Sequence, residues 1–148
     1  MDRSISKGSE ARILADAERF GPAIDVLLAL IPELQALYLF GSRASGRERP
    51  ESDVDFAFLV PEPLPALTRW EIQEELASRL KSDVDLIDLV GAPTVMQMQV
   101  VATGTVLYER DPYVRQSFEM RVLSAYALLN EERAGILKRI HEEGRVYD

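Results

Sequence analysis

Three short apolar runs, Leu34–Phe40, Asp53–Val60 and Asp83–Val90, are separated by stretches of helical periodicity. The first is rich in Leu, Tyr and Phe and stops at Gly41, as a buried strand does when it meets a turn. The second alternates at its start and then becomes apolar throughout, which suits a strand covered on both faces. Strands of this kind, separated by helices, predict an α/β or α+β domain built around one sheet.

The helical stretches read as follows. Ser9 is a suitable N-cap for a first helix over Glu10–Phe20. Pro22 fits the first turn of a second helix, with Ile24, Leu27, Leu28 and Ile31 on one stripe and Pro32 as its stop. A stiff connector, Pro61-Glu62-Pro63-Leu64-Pro65, leads to a helix over Leu67–Leu80 whose apolar positions include Trp70, Leu76 and Leu80, and Trp70 is expected in the core. Pro93 opens a further helix, Gly104 closes it, and Thr105–Tyr108 adds a short edge strand. From Asp111 to about Glu143 the pattern is one long helix or two abutting ones. Its first stripe, Phe118, Val122, Tyr126 and Leu129, is predicted to face the core; the second, Ile136, Leu137 and Ile140, suits the core, a partner or a frayed end.

At 148 residues the chain has the length of one domain. It contains no cysteine, which removes disulfides, thiolate zinc sites, iron–sulfur clusters and cysteine nucleophiles. The single histidine, His141, lies among Glu142 and Glu143 on a polar helix end and reads as solvated. The 25 acidic residues against 17 basic ones give a net charge of −8, which argues against tracking bare nucleic acid. No apolar stretch approaches the length of a membrane span and the start lacks the pattern of a signal peptide, so no membrane association is expected and the location is read as cytoplasmic.

The chemistry concentrates in Gly41-Ser42, ten further residues, and Asp53-Val54-Asp55. Residues i and i+2 of a strand share a face, so Asp53 and Asp55 project together, about 6.6 Å apart at Cα. Two like charges so placed repel, an arrangement that makes sense around a divalent cation such as Mg2+, which takes carboxylates together with substrate phosphates. Gly41 lets the backbone turn closely, and the helix start and hydroxyl offered by Ser42 are donors for phosphate oxygens. The turn is not a P-loop: Gly41 and Gly46 have the four-residue gap, but Arg47-Glu48 stand where Lys and Ser or Thr are needed. On the third run, alternation puts Asp83 and Asp85 on one face and Asp88 on the other, where it meets solvent or caps the next turn.

The run Leu39-Phe40-Gly41-Ser42-Arg43-Ala44-Ser45-Gly46 followed by Ser52-Asp53-Val54-Asp55 resembles the signature of the minimal nucleotidyltransferases of the DNA polymerase beta-like superfamily. Val84-Asp85-Leu86-Ile87, Ala92-Pro93 and Gly104-Thr105 also fit the family's downstream pattern. The resemblance implies a small mixed sheet flanked by helices, with a nucleotidyltransferase core over residues 1–110. A helical tail over 111–148 would pack on the core or on a partner, the whole being one structural domain. It further implies transfer of AMP from ATP with two Mg2+ ions, replaceable by Mn2+, held by Asp53, Asp55 and Asp85 as catalytic carboxylates. Asp85 would stand nearest the acceptor and take its proton. Gly41 and Ser42 would bind the outer phosphates, with Arg43 and Arg47 offsetting phosphate charge.

Small proteins resembling this family act as antitoxins of HEPN ribonuclease toxins, silencing the toxin by placing AMP on a tyrosine. The resemblance therefore implies a type VII antitoxin with ATP and a cognate HEPN toxin as partners, in a hetero-oligomer that leaves room for self-association. The acidic charge suits a partner with positive surface. The competing readings are a small-molecule nucleotidyltransferase of the aminoglycoside-modifying type and a non-catalytic antitoxin that masks its toxin.

Overall fold

The computed structural model describes the backbone of residues 7–41 and 54–147, and the side chains of 18–41 and 54–144. These residues hold four strands and four helices, in the order α1 (Lys7–Leu30), β1 (Ala36–Phe40), β2 (Val54–Leu59), α2 (Ala66–Leu80), β3 (Val84–Asp88), α3 (Thr94–Thr103), β4 (Thr105–Glu109) and α4 (Pro112–Tyr147). The strands form one mixed sheet in the order β3-β2-β1-β4. β1 runs antiparallel to β2 and β4, while β2 and β3 are parallel. The expected small mixed sheet flanked by helices is what the chain builds.

Both faces of the two central strands are buried, because helices cover each side. Leu37, Leu39, Val54, Phe56, Phe58, Val84 and Leu86 point to one face and pack under α1 and α2 through Phe20, Leu27, Ile31, Ile72 and Leu76. Phe20 meets Phe56 edge-on, with ring centroids 5.4 Å apart, a favourable aromatic geometry. The residues of opposite parity, among them Ala36, Tyr38, Phe40, Ala57 and Leu59, pack under α3 and α4 through Val100, Phe118 and Val122.

Three features differ from the sequence reading, the first being that Ser9, expected as an N-cap, lies inside α1. The two N-terminal helices are one, running through Pro22. Proline disfavours the helical conformation of its predecessor largely by clashing with that residue's Cβ. Gly21 has no Cβ, and burial of Phe20, Ala23 and Leu27 on either side holds the helix together. Trp70 is not core but 50% exposed. The buried stripe of α2 is Ile72 and Leu76, and Trp70 sits well round the helix from it. Of the two alternatives read for the C-terminal stretch, the chain takes the single helix, about 54 Å long. Phe118 and Val122 hold its first part to the sheet, whereas Leu128, Ile136, Leu137 and Ile140 are exposed. Among the described residues no helix is long and apolar enough to cross a membrane.

A polar contact locks α4 to the centre of the sheet. The buried Tyr38 hydroxyl donates to Glu119 at 2.6 Å. Glu119 also accepts from Arg115 at 2.9 Å, and Arg115 donates to Glu109 at the end of β4. Burial first, and the neighbouring Glu119 carboxylate second, push the Tyr38 hydroxyl far above the usual tyrosine range. A group whose folded pKa is raised contributes stability that is complete below its unfolded pKa, about 10, and is lost as pH climbs beyond it. Tyr38→Phe should therefore cost about 1.5–3 kcal/mol near neutrality. In denaturant titrations across pH 8–12, that difference should hold constant to about pH 10 and then shrink by up to ~1.4 kcal/mol per pH unit. A gap that widens above pH 10 would contradict the assignment.

Candidate active site

Gly41 follows the last residue of β1 with φ of 77°, a left-handed conformation that side chains other than glycine's adopt only with strain. Its place is tight as well. A Cβ added there would collide with the carboxylate of Asp55. Phe40, the residue before it, pairs with Asp55 across the antiparallel β1–β2 ladder. The turn is thus pressed against the carboxylate that the second strand carries.

On its other side β2 pairs with β3 so that Asp55 is level with Asp85. Neighbouring strands lie about 4.8 Å apart, and residues level in a parallel ladder share a face. The two carboxylates therefore stand abreast on the α3 and α4 side of the sheet. At about 5 Å separation the repulsion of two unit charges is about 1–3 kcal/mol for effective dielectrics of 80 to 20. Asp85 is exposed, and no partner satisfies it among the described residues.

The other two acids of the third strand are placed differently. Asp83 is exposed just before the strand, and its carbonyl accepts from Val54 N–H at 2.9 Å. Asp88 is a staple: its carboxylate accepts from Leu64 N–H at 2.8 Å and from Val90 N–H at 3.2 Å. The second contact caps the turn after β3, in keeping with one of the two roles read from the sequence. Of the predicted site residues the fold brings Gly41, Asp55 and Asp85 together. Asp53, Ser42, Arg43 and Arg47 lie outside the described residues.

A cavity of 450 Å³ runs along β3 from Asp85 to Asp88, walled by Leu64 and Arg69 on one side and Pro93 and Met96 on the other. A larger one of 510 Å³ lies near the opposite end of β2, between Leu59–Pro61 and Phe118–Val122, away from the two carboxylates. The donor set at Asp55 and Asp85 is oxygen only, which fits a hard divalent cation sharing its remaining positions with phosphate oxygens. No group of three potential ligands occurs among the described residues. Sequence reasoning missed Arg69, which had no signal beyond a solvated position on a helix.

Glycine substitutions should separate this turn from ordinary flexibility. Gly135, in open space on α4, can take a Cβ freely, so Gly135→Ala should raise the unfolding free energy by about 0.4–1 kcal/mol. Gly41→Ala should lower it by about 1–3 kcal/mol through strain alone, with more from the Asp55 collision. Equal effects in denaturant unfolding would contradict the geometry.

Comparison with known proteins bears on this arrangement. Residues 23–113, spanning all four strands, match a family model described as Polymerase beta, Nucleotidyltransferase. The chain is 41% identical over 116 residues to the protein adenylyltransferase MntA of Shewanella oneidensis, covering 77% of this chain and 81% of that one. A crystal structure of a toxin–antitoxin with AMP-PNP superposes with a TM-score of 0.75 at 39% identity, over 81% of this chain and 96% of that one. A tri-AMPylated Shewanella oneidensis HEPN toxin in complex with MNT antitoxin matches with a TM-score of 0.70 at 37% identity, over 82% and 95%.

Proposed function

Because the chain belongs to the polymerase beta nucleotidyltransferase family, we propose that it transfers AMP from ATP to a tyrosine of a cognate HEPN ribonuclease toxin and so silences it. The observation that carries this reading is the level pairing of Asp55 and Asp85 beside the Gly41 turn. The relatives that are protein adenylyltransferases, or that are held in complex with a HEPN toxin, support the choice of a protein acceptor. On this reading the protein works in the cytoplasm, where ATP and the toxin's RNA substrates are found.

In the transfer, the acceptor oxygen forms a bond to the α-phosphorus, the bond from that phosphorus to the β-phosphate bridging oxygen breaks, and pyrophosphate leaves. Asp53, Asp55 and Asp85 would hold Mg2+, two ions in the full site, with Mn2+ able to substitute. Divalent cations held by these carboxylates would supply charge neutralisation for the triphosphate and the leaving pyrophosphate. Gly41 brings the backbone close to the carboxylates, and Ser42 contributes donors for the outer phosphates. Arg43 and Arg47 offset the remaining phosphate charge. Asp85, the exposed carboxylate, receives the proton of the acceptor hydroxyl.

Transfer from α-labelled ATP to the purified partner tests the reading. Asp85→Asn should lower the rate by several kcal/mol of transition-state stabilisation, about a thousandfold. Asp83→Asn should leave it nearly unchanged, with stability altered by less than about 0.5 kcal/mol. Chelator should abolish transfer and added Mg2+ or Mn2+ restore it. Silencing of the toxin that persists without any transfer of label would replace this reading with masking.

A further inference from the structure

Among the described residues β3 is an edge strand of five residues, paired with β2 alone. Such an edge normally leaves a row of unpaired backbone groups, and parallel pairing is the weaker kind per residue. The Asp83 carbonyl accepts from Val54 N–H and Leu89 N–H donates to the Phe58 carbonyl. Odd-numbered residues thus face β2, so Leu86 turns both its backbone groups to the open edge. Both are met from one turn of α2. Leu86 N–H donates to Gln73 Oε1 at 2.9 Å, and Arg69 Nη1 donates to the Leu86 carbonyl, also at 2.9 Å. Arg69 reaches Gln73 Oε1 as well, at 3.4 Å, so the two side chains brace one another across an i,i+4 spacing.

We propose that Arg69 and Gln73 are positioning residues for Asp85, acting together as the neighbouring strand that β3 lacks. The bond from Leu86 N–H belongs to the peptide that joins Asp85 to Leu86. Fixing that peptide on its outer side fixes the direction in which the Asp85 side chain leaves the backbone. Leu86 itself is fully buried under Leu76 and its neighbours, so the clamp works on a strand that is anchored by packing and cannot shift to relieve a lost bond. Repulsion between two carboxylates held abreast pulls on the backbone that carries them, and the clamp keeps the backbone at Asp85 from yielding to it. Groups one step removed from a metal ligand are commonly worth 10–100-fold in metal affinity. The inference rests on the reading of Asp85 as a metal-holding carboxylate.

Two measurements on the full chain test it. Hydrogen exchange of the Leu86 amide, in protein without nucleotide or metal, reports the clamp. Mn2+ binding in the presence of AMP-PNP, followed by electron paramagnetic resonance, reports Asp85. Gln73→Met should speed Leu86 exchange by about tenfold or more and weaken Mn2+ binding about 10–100-fold. Gln73→Glu still accepts from Leu86 N–H and from Arg69, so it should restore both. Arg69→Met, which keeps the Gln73 bond, should weaken Mn2+ binding less than Gln73→Met, and Arg69→Lys should recover part of that loss. Arg69→Met carries the comparison if Gln73→Met does not fold. Arg79→Met, which breaks only the surface pair with Glu75 on the same helix, is the control and should change neither signal. Folded Gln73→Met and Arg69→Met proteins with wild-type Mn2+ affinity would overturn the proposal, as would a Leu86 amide that stays protected in Gln73→Met. If Asp85→Asn also binds Mn2+ like the wild type, the metal-holding role of Asp85 is what fails.

Discussion

A slip of β3 by one residue against β2 would carry Asp85 to the other face of the sheet and drive Val84 and Leu86 out of the core. Burial of those two side chains, 7% and 1% exposed, resists the slip. So do the hydrogen bonds at either end of the pairing, from Val54 N–H to Asp83 and from Leu89 N–H to Phe58. The level pairing of Asp55 with Asp85 is therefore a by-product of how the core is packed. Two like charges are held abreast because the apolar residues between them leave no alternative register.

The other half of the site depends on β1, the strand on the far side of β2. Its end is set by antiparallel pairing on both edges, to β2 and β4. Tyr38, mid-strand and buried, is bound to Glu119 of α4 through its hydroxyl. Two residues further on comes Phe40, and then the Gly41 turn that touches Asp55. The sheet thus carries one polar anchor in its middle and one polar site at its end. The first holds a helix down; the second carries Asp55 beside the Gly41 turn. The exposed outer half of α4 takes no part in either.

Much of this was legible from residue order alone. Gly41 at the end of an apolar run, and Asp55 and Asp85 at the starts of two others, are short-range signals that follow from period-two alternation and turn chemistry. Their meeting follows once the runs pair in one sheet. What could not be read depends on long-range packing. The Tyr38–Glu119 contact joins residues 81 apart in the chain. The helix break expected at Pro22 fails because Gly21 relieves the steric conflict and burial carries the helix across. Trp70 looked apolar enough for the core, but the stripe through Ile72 and Leu76 leaves it outside. Arg69 and Gln73 resemble any solvated pair on a helix until β3 is seen to present its edge to them. Asp53, Ser42, Arg43 and Arg47 lie outside the described residues, and their roles rest on the sequence reading.

The most direct test of the account is the anomalous scattering of Mn2+ in crystals of this protein grown with AMP-PNP. The account predicts a Mn2+ peak bonded to carboxylate oxygens of both Asp55 and Asp85, at about 2.0–2.2 Å as expected for a small hard divalent cation, and to oxygens of the triphosphate. A peak held by the nucleotide and Asp83, or by the nucleotide alone with Asp85 turned to solvent, would contradict it.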